Sequence, residues 1–141
     1  MEPQLRLALL GKFEITFQDA PLTGFITSKA PALLSYLALS GRTVARERLA
    51  EMFWGEMADT DAKNNLRQVL ANLRHLLPLH VITTRESVTF DQTQPFLLDV
   101  QLFEEHVRLA DEAADAAARI QHVQEAIALY RGDFLEGFHV R

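Results

Sequence analysis

The spacing of apolar positions changes character along this chain and divides it into strands, then helices, then strands again. In "FEITF", Phe13, Ile15 and Phe17 alternate with Glu14 and Thr16, the period of two that marks a half-buried strand. "LRLALL" precedes it as a more apolar strand, with Gly11-Lys12 as the turn between the two. "QDAPLTG" supplies the next turn, because Asp and Pro favour turn geometry, and a short third strand is expected around Leu22 to Ile26. These segments predict a small N-terminal antiparallel sheet.

The period then becomes helical. "KAPALLSYLAL" carries Leu34, Leu37 and Ala38 on one stripe, with Ser28 available as a cap, Pro31 tolerable in the first turn and Gly41 as the stop. A second helix is expected over about Ala45 to Trp54, burying Leu49, Met52 and Phe53 and ending at Gly55. After the linker "GEMADT", residues 61–77 read as one long amphipathic helix, capped by Asp59 or Thr60 and stopped by Pro78. Its apolar stripe is Leu66, Val69, Leu70, Leu73 and Leu77. Beyond Pro78, "HVITT" and "SVTF" flank Arg85-Glu86 as a hairpin with a two-residue tip.

Sheet, helix, helix, long helix and hairpin, in that order, are the parts of a winged helix-turn-helix. That plan gives the polar face of 61–77 a use. It carries Asn64, Arg67, Gln68, Asn72, Arg74 and His75, with no carboxylate after Asp61. The major groove of DNA admits one α-helix, where Arg pairs with guanine and Asn or Gln with adenine. Arg67 and Arg74 suit the first role; Asn64, Gln68 and Asn72 suit the second. Ala71 among them allows close approach or contact with a thymine methyl, while Lys63 and the hairpin-tip Arg85 suit phosphates.

Charge divides the 141 residues near Pro95. Residues 1–95 hold ten Lys and Arg against ten Asp and Glu, so the whole net charge of −5 comes from residues 96–141. The expected parts are therefore 1–95, the winged helix, and 96–141, a helical segment. In the latter, Phe103, Val107, Ala110 and Ala114 share one face and Ile120, Val123, Ile127 and Tyr130 another. Apolar residues make up 48% of the chain, enough for a packed core. No run approaches the roughly 18 apolar residues of a membrane span. The N-terminus lacks the basic region of a signal peptide, and a cytoplasmic protein is expected.

Catalytic chemistry finds little support. There is no cysteine and no Gly-rich phosphate loop. His75, His80, His106, His122 and His139 form no His-x-x-x-His or Glu-x-x-His metal spacing, and His75 alone among them falls on a candidate face. The pairs Glu104-Glu105 and Asp111-Glu112 read as solvated helix charges. No enzyme, metal or cofactor is expected.

Three blocks carry a resemblance: "SKAPALLSYLALSGRTVARERLAEMFWGE", "NNLRQVLANLRHLL" and "LYRGDFLEGF". Lys29 to Ala38, Arg48-Leu49 with Trp54, and Asn65-Leu66-Arg67-Gln68 are distinctive as a set. In order and content they resemble the bacterial SARP-type transcriptional activators, an OmpR-type winged helix followed by a bacterial transcriptional activator domain (BTAD). The resemblance implies an α+β fold: a winged helix-turn-helix with an N-terminal antiparallel sheet and a C-terminal hairpin wing, then a tetratricopeptide-like (TPR-like) helical segment. It implies that Asn65 to His75 faces DNA, that Arg85 tips the wing, and that the loop Gly55 to Thr60 faces RNA polymerase, with Glu56 and Asp59 as contact candidates. It also implies head-to-tail dimers on direct repeats, activation of transcription and no cofactor. Three positions depart from the family pattern towards a less basic surface. Arg74-His75 stands for consecutive arginines, Ala45 for a Ser or Thr cap, and Pro31 for a basic residue.

Because the helical segment stops after "GDFLEGF", the chain is expected to be part of a longer regulator, or a short form dimerising through that face. The alternative reading is a winged-helix protein-interaction module that binds no DNA and forms part of a larger signalling protein.

Overall fold

Alternation of Leu5 and Leu7 with Arg6 makes β1 (Leu5–Ala8) a strand buried on one face. It pairs antiparallel with β2 (Glu14–Phe17), setting Leu7 opposite Ile15 and Leu5 opposite Phe17. The computed structural model describes residues 4–132. Most of "GDFLEGF", with Gly137 and His139, lies outside the described residues.

β2 turns through Gln18 and Asp19, both at positive φ, into β3 (Ala20–Pro21). The third strand thus comes earlier than Leu22 to Ile26. Gly24, in the middle of the expected strand, has φ +97°, which no strand accommodates and which turns the chain away. A fourth strand, β7 (Phe96–Leu98), lies parallel to β1, so the order is β3-β2-β1-β7. The sheet is therefore mixed, where an antiparallel one was expected.

Contacts divide the described chain into residues 4–22 with 95–132, and residues 23–94. Pro95 marks one edge of that division, but the N-terminal strands cluster with the C-terminal segment, because β7 carries the chain back to β1. In this unit α4 (Asp99–Glu112) follows β7 directly. The buried Asp99 carboxylate accepts from the backbone N–H of Leu9 (2.8 Å) and of Leu10 (2.9 Å), tying the start of α4 to the end of β1. Asp115 caps α5 (Ala116–Leu129) by accepting from Ala118 N–H at 2.8 Å. The two helices run back along each other, Phe103 meeting Tyr130 and His106 meeting His122. Ala110 and Ala126 are buried, whereas Ile120, Val123, Ile127 and Tyr130 are exposed.

The second unit is built on α1 (Lys29–Ser40), whose leucines 33, 34 and 37 are fully buried. Thr27, and not Ser28, supplies its capping oxygen: Ser28 is already helical, and Thr27 Oγ1 accepts from Lys29 N–H at 3.2 Å. Gly41 closes the helix in the left-handed conformation, its N–H bonded to Leu37 O. β4 (Val44–Ala45) leads into α2 (Arg46–Trp54), which buries Leu49, Ala50 and Trp54. Met52, expected inside, is exposed, and Phe53 is half-buried, because the helix turns its Leu49–Ala50–Trp54 edge to the core.

α3 (Asp59–Leu76) begins two residues before the expected start, directly after Ala58. No side chain caps it; Asp59 and Asp61 lie in its first turn, where their charge suits the helix dipole. Leu66, Val69, Leu70, Leu73 and Leu77 are all buried, as their spacing requires. β5 (Val81–Thr83) and β6 (Ser87–Phe90) form the hairpin, and β4 pairs with β6 to give a three-stranded antiparallel sheet, β4-β6-β5. Three helices followed by this hairpin are the winged-helix arrangement. Among the described residues, no helix is long and apolar enough to cross a membrane.

Candidate nucleic-acid interface

The buried stripe fixes which side of α3 faces outward. Lys63, Asn64, Arg67, Gln68, Ala71, Arg74 and His75 are exposed, and no carboxylate follows Asp61 on the helix. Arg67 Nη2 donates to Asn64 Oδ1 at 2.7 Å, one turn earlier, so the guanidinium and the amide are oriented together.

Asn72 stands apart. It is half-buried at the margin of the polar face, and both ends of its amide engage backbone. Nδ2 donates to Gly24 O at 2.9 Å and Oδ1 accepts from Ile26 N–H at 3.1 Å. The residue clamps the segment that enters α1, so in this arrangement its amide serves the protein's own backbone.

The hairpin tip is built without glycine. Thr84 N–H donates to Ser87 O at 2.8 Å, leaving Arg85-Glu86 as the two-residue tip. Thr84 Oγ1 accepts from the N–H groups of Glu86 (3.2 Å) and Ser87 (2.9 Å), which does locally what Asn-Gly does in other hairpins. Arg46 secures the tip from α2: its Nε donates to Thr84 O at 2.8 Å and its backbone N–H to Glu86 O at 2.9 Å. At the far end of β6, hydrogen bonds from the Thr93 hydroxyl and backbone hold the Asp91 carboxyl below the usual carboxylate range.

One hollow gathers Lys63 and Arg67 from α3, Arg85 from the tip and Arg46 from α2, and Glu47 and Glu86 line it as well. Sequence reasoning missed Arg46. The signal was its position, since a cation in the first turn of a helix opposes the helix dipole and points to another use. Gln68, Ala71, Arg74 and His75 continue the exposed face towards the C-terminal end of α3.

A second surface surrounds the loop between α2 and α3. Glu51, Glu56 and Asp59 are exposed there together with Met52 and Met57. Asn65 Nδ2 lies 3.1 Å from Met57 Sδ and steadies the loop against α3. Lys29 reaches from the start of α1 to the end of α2, where its Nζ donates to Phe53 O.

Comparison with known proteins adds to this geometry. The family described as "Bacterial transcriptional activator domain" matches residues 98–141. The structure of Mycobacterium tuberculosis EmbR, solved in complex with a low-affinity phosphopeptide, matches with a TM-score of 0.79 at 22% identity. The match covers 97% of this chain and 38% of the EmbR chain, and at that identity the likeness is one of fold. No curated protein sequence gives a significant match. Residues 98–141 are thus similar to the bacterial transcriptional activator domain family, and the chain as a whole shares the fold of the matching part of EmbR.

Proposed function

We propose that the chain is a sequence-specific DNA-binding transcriptional activator that lays α3 in the major groove and rests its wing on the sugar-phosphate backbone. The observation that carries this reading is the meeting of Lys63, Arg67 and Arg85 around one hollow, with the carboxylate-free face of α3 running on from it. In this reading Arg67 and Arg74 pair with guanine, and Asn64 and Gln68 with adenine. Lys63, Arg46 and Arg85 contact phosphates, and Ala71 and His75 complete the face. Asn72 contributes by holding the segment before α1, on which the seating of α3 depends.

In this reading residues 1–95 act as the DNA-binding part, and α4 and α5 begin a TPR-like helical domain. The acidic loop with Glu56 and Asp59 contacts RNA polymerase in the cytoplasm, and two copies sit head to tail on direct repeats. The near-neutral charge of residues 23–94, eight Lys and Arg against seven Asp and Glu, leaves little long-range attraction for DNA. Specificity then rests on the local face of α3.

The test is binding of the full chain to DNA from its own upstream region, titrated with salt against random competitor. Specific binding that weakens as salt rises supports the proposal. A folded sample that binds no DNA at low salt overturns it in favour of the protein-interaction module.

A further inference from the structure

His106 lies in the middle of α4, while His122 and Glu125 are one turn apart on α5. Packing of the two helices brings the three together. Nδ1 of His106 stands 3.3 Å from Nδ1 of His122 and 3.0 Å from Glu125 Oε2, and all three ligand atoms lie within 4.8 Å of one another.

Hydrogen bonding among neutral imidazoles leaves this arrangement frustrated. A single Nδ1 offers one proton or one lone pair, never both. If His106 Nδ1 carries the proton, it donates to Glu125, and His122 can receive only a share of the same hydrogen. If it does not, the lone pair of His106 faces a carboxylate oxygen that has no proton to give. A cation removes the conflict, because each of the three groups then directs a lone pair at it and each imidazole keeps its proton on the other nitrogen.

The spacing of the two imidazoles also fits. Two imidazole nitrogens on one tetrahedral zinc ion, each about 2.0–2.1 Å from it, stand about 3.3–3.4 Å apart. The two Nδ1 atoms here are separated by 3.3 Å. The side chains of His106 and Glu125 are 23% and 44% exposed, so solvent reaches the site and a water molecule can take the fourth position.

We propose that His106, His122 and Glu125 form a binding site for a divalent transition-metal cation, Zn2+ being the probe of choice, which staples α4 to α5. Two nitrogens and one carboxylate oxygen favour such an ion over Ca2+ or Mg2+, which prefer all-oxygen sites. A staple here ties down the helix pair whose Ile120, Val123 and Ile127 remain exposed.

Titration of the full chain with Co2+, followed by displacement with Zn2+, tests the site. The expected result is one equivalent of Co2+ with the visible absorption of tetrahedral nitrogen-oxygen ligation, and a melting temperature that rises with Zn2+. His106→Ala and His122→Ala each weaken binding by about tenfold or more, while His75→Ala does not. Glu125→Gln, which keeps the shape of the side chain, weakens it too and covers the case in which a histidine variant loses its helical signal. Absence of the tetrahedral spectrum, or binding left unchanged in the His106→Ala, His122→Ala double variant, overturns the proposal.

Discussion

The Lys29 ammonium lies over the ring of Trp54, 5.2 Å from its centroid, while donating a hydrogen bond to the neighbouring Phe53 carbonyl. One side chain thus satisfies a terminal carbonyl of α2, complements the negative end of its dipole and covers its last aromatic ring. The lysine before the apolar run and the tryptophan at position 54 are thereby in direct contact. Lys29→Met keeps much of the stem and loses the charge. It is expected to cost about 1–2 kcal/mol, read as a lower urea midpoint at constant m-value.

Asn72 gives a prediction that separates two roles. As a clamp on Gly24 and Ile26, its replacement by alanine leaves two backbone groups unpaired and costs about 1–2 kcal/mol in a denaturant melt. As a base reader only, the same variant would melt like the parent and bind operator more weakly. Loss of stability is the expected outcome.

The two arginines of the exposed α3 face carry the DNA proposal. Arg67→Ala combined with Arg74→Ala should abolish specific binding while leaving the fold intact, since both side chains are exposed. Whatever residual binding remains should show a salt slope reduced by about two. A double variant that binds as well as the parent would falsify the assignment. Glu56→Ala with Asp59→Ala should instead lower transcription activation with DNA affinity unchanged, and weaker DNA binding in that variant would argue against a polymerase contact.

Asp99 is buried and holds the N–H groups of two successive residues, Leu9 and Leu10, with Arg131 3.5 Å from Oδ2. Asp99→Asn sets an amide NH2 against one of those donors. A loss of about 2–3 kcal/mol is expected, measured by thermal or denaturant unfolding of the full chain.

On the surface of α4, the hydrogen bond from Arg108, helped by its charge, lowers the Glu105 carboxyl below the usual glutamate range. Because the folded value is depressed, its contribution to stability is present above the unfolded value and lost as pH falls through the folded one. A carbon-detected NMR titration should find its midpoint below that of an ordinary glutamate. The midpoint should move up in Arg108→Gln; an unmoved one would show that the pair does not form in solution.

Local pattern determined much of this protein. The stripe from Leu66 to Leu77 dictated which side of α3 is buried, because helical spacing leaves those side chains no other common face. Gly41 ended α1 for the same kind of local reason, as did the Arg85-Glu86 tip between two β-patterned runs. The face with Arg67, Gln68 and Arg74 was therefore legible in the spacing of the residues themselves, and so was its freedom from carboxylates.

Tertiary structure decided what depends on partners distant in sequence. Asn72 reads like its neighbours on the polar face until residues 46 and 48 positions away claim the two ends of its amide. Phe96–Leu98 is too short to announce a strand, and only its parallel pairing with β1 makes it one. Arg46 lies beside Arg85 and Lys63 because β4 brings the start of α2 next to the wing. His106 and His122 share no metal spacing along the chain, yet the packing of α4 on α5 sets their nitrogens 3.3 Å apart. Periodicity records the faces of an element, whereas which groups meet across two elements depends on how those elements pack.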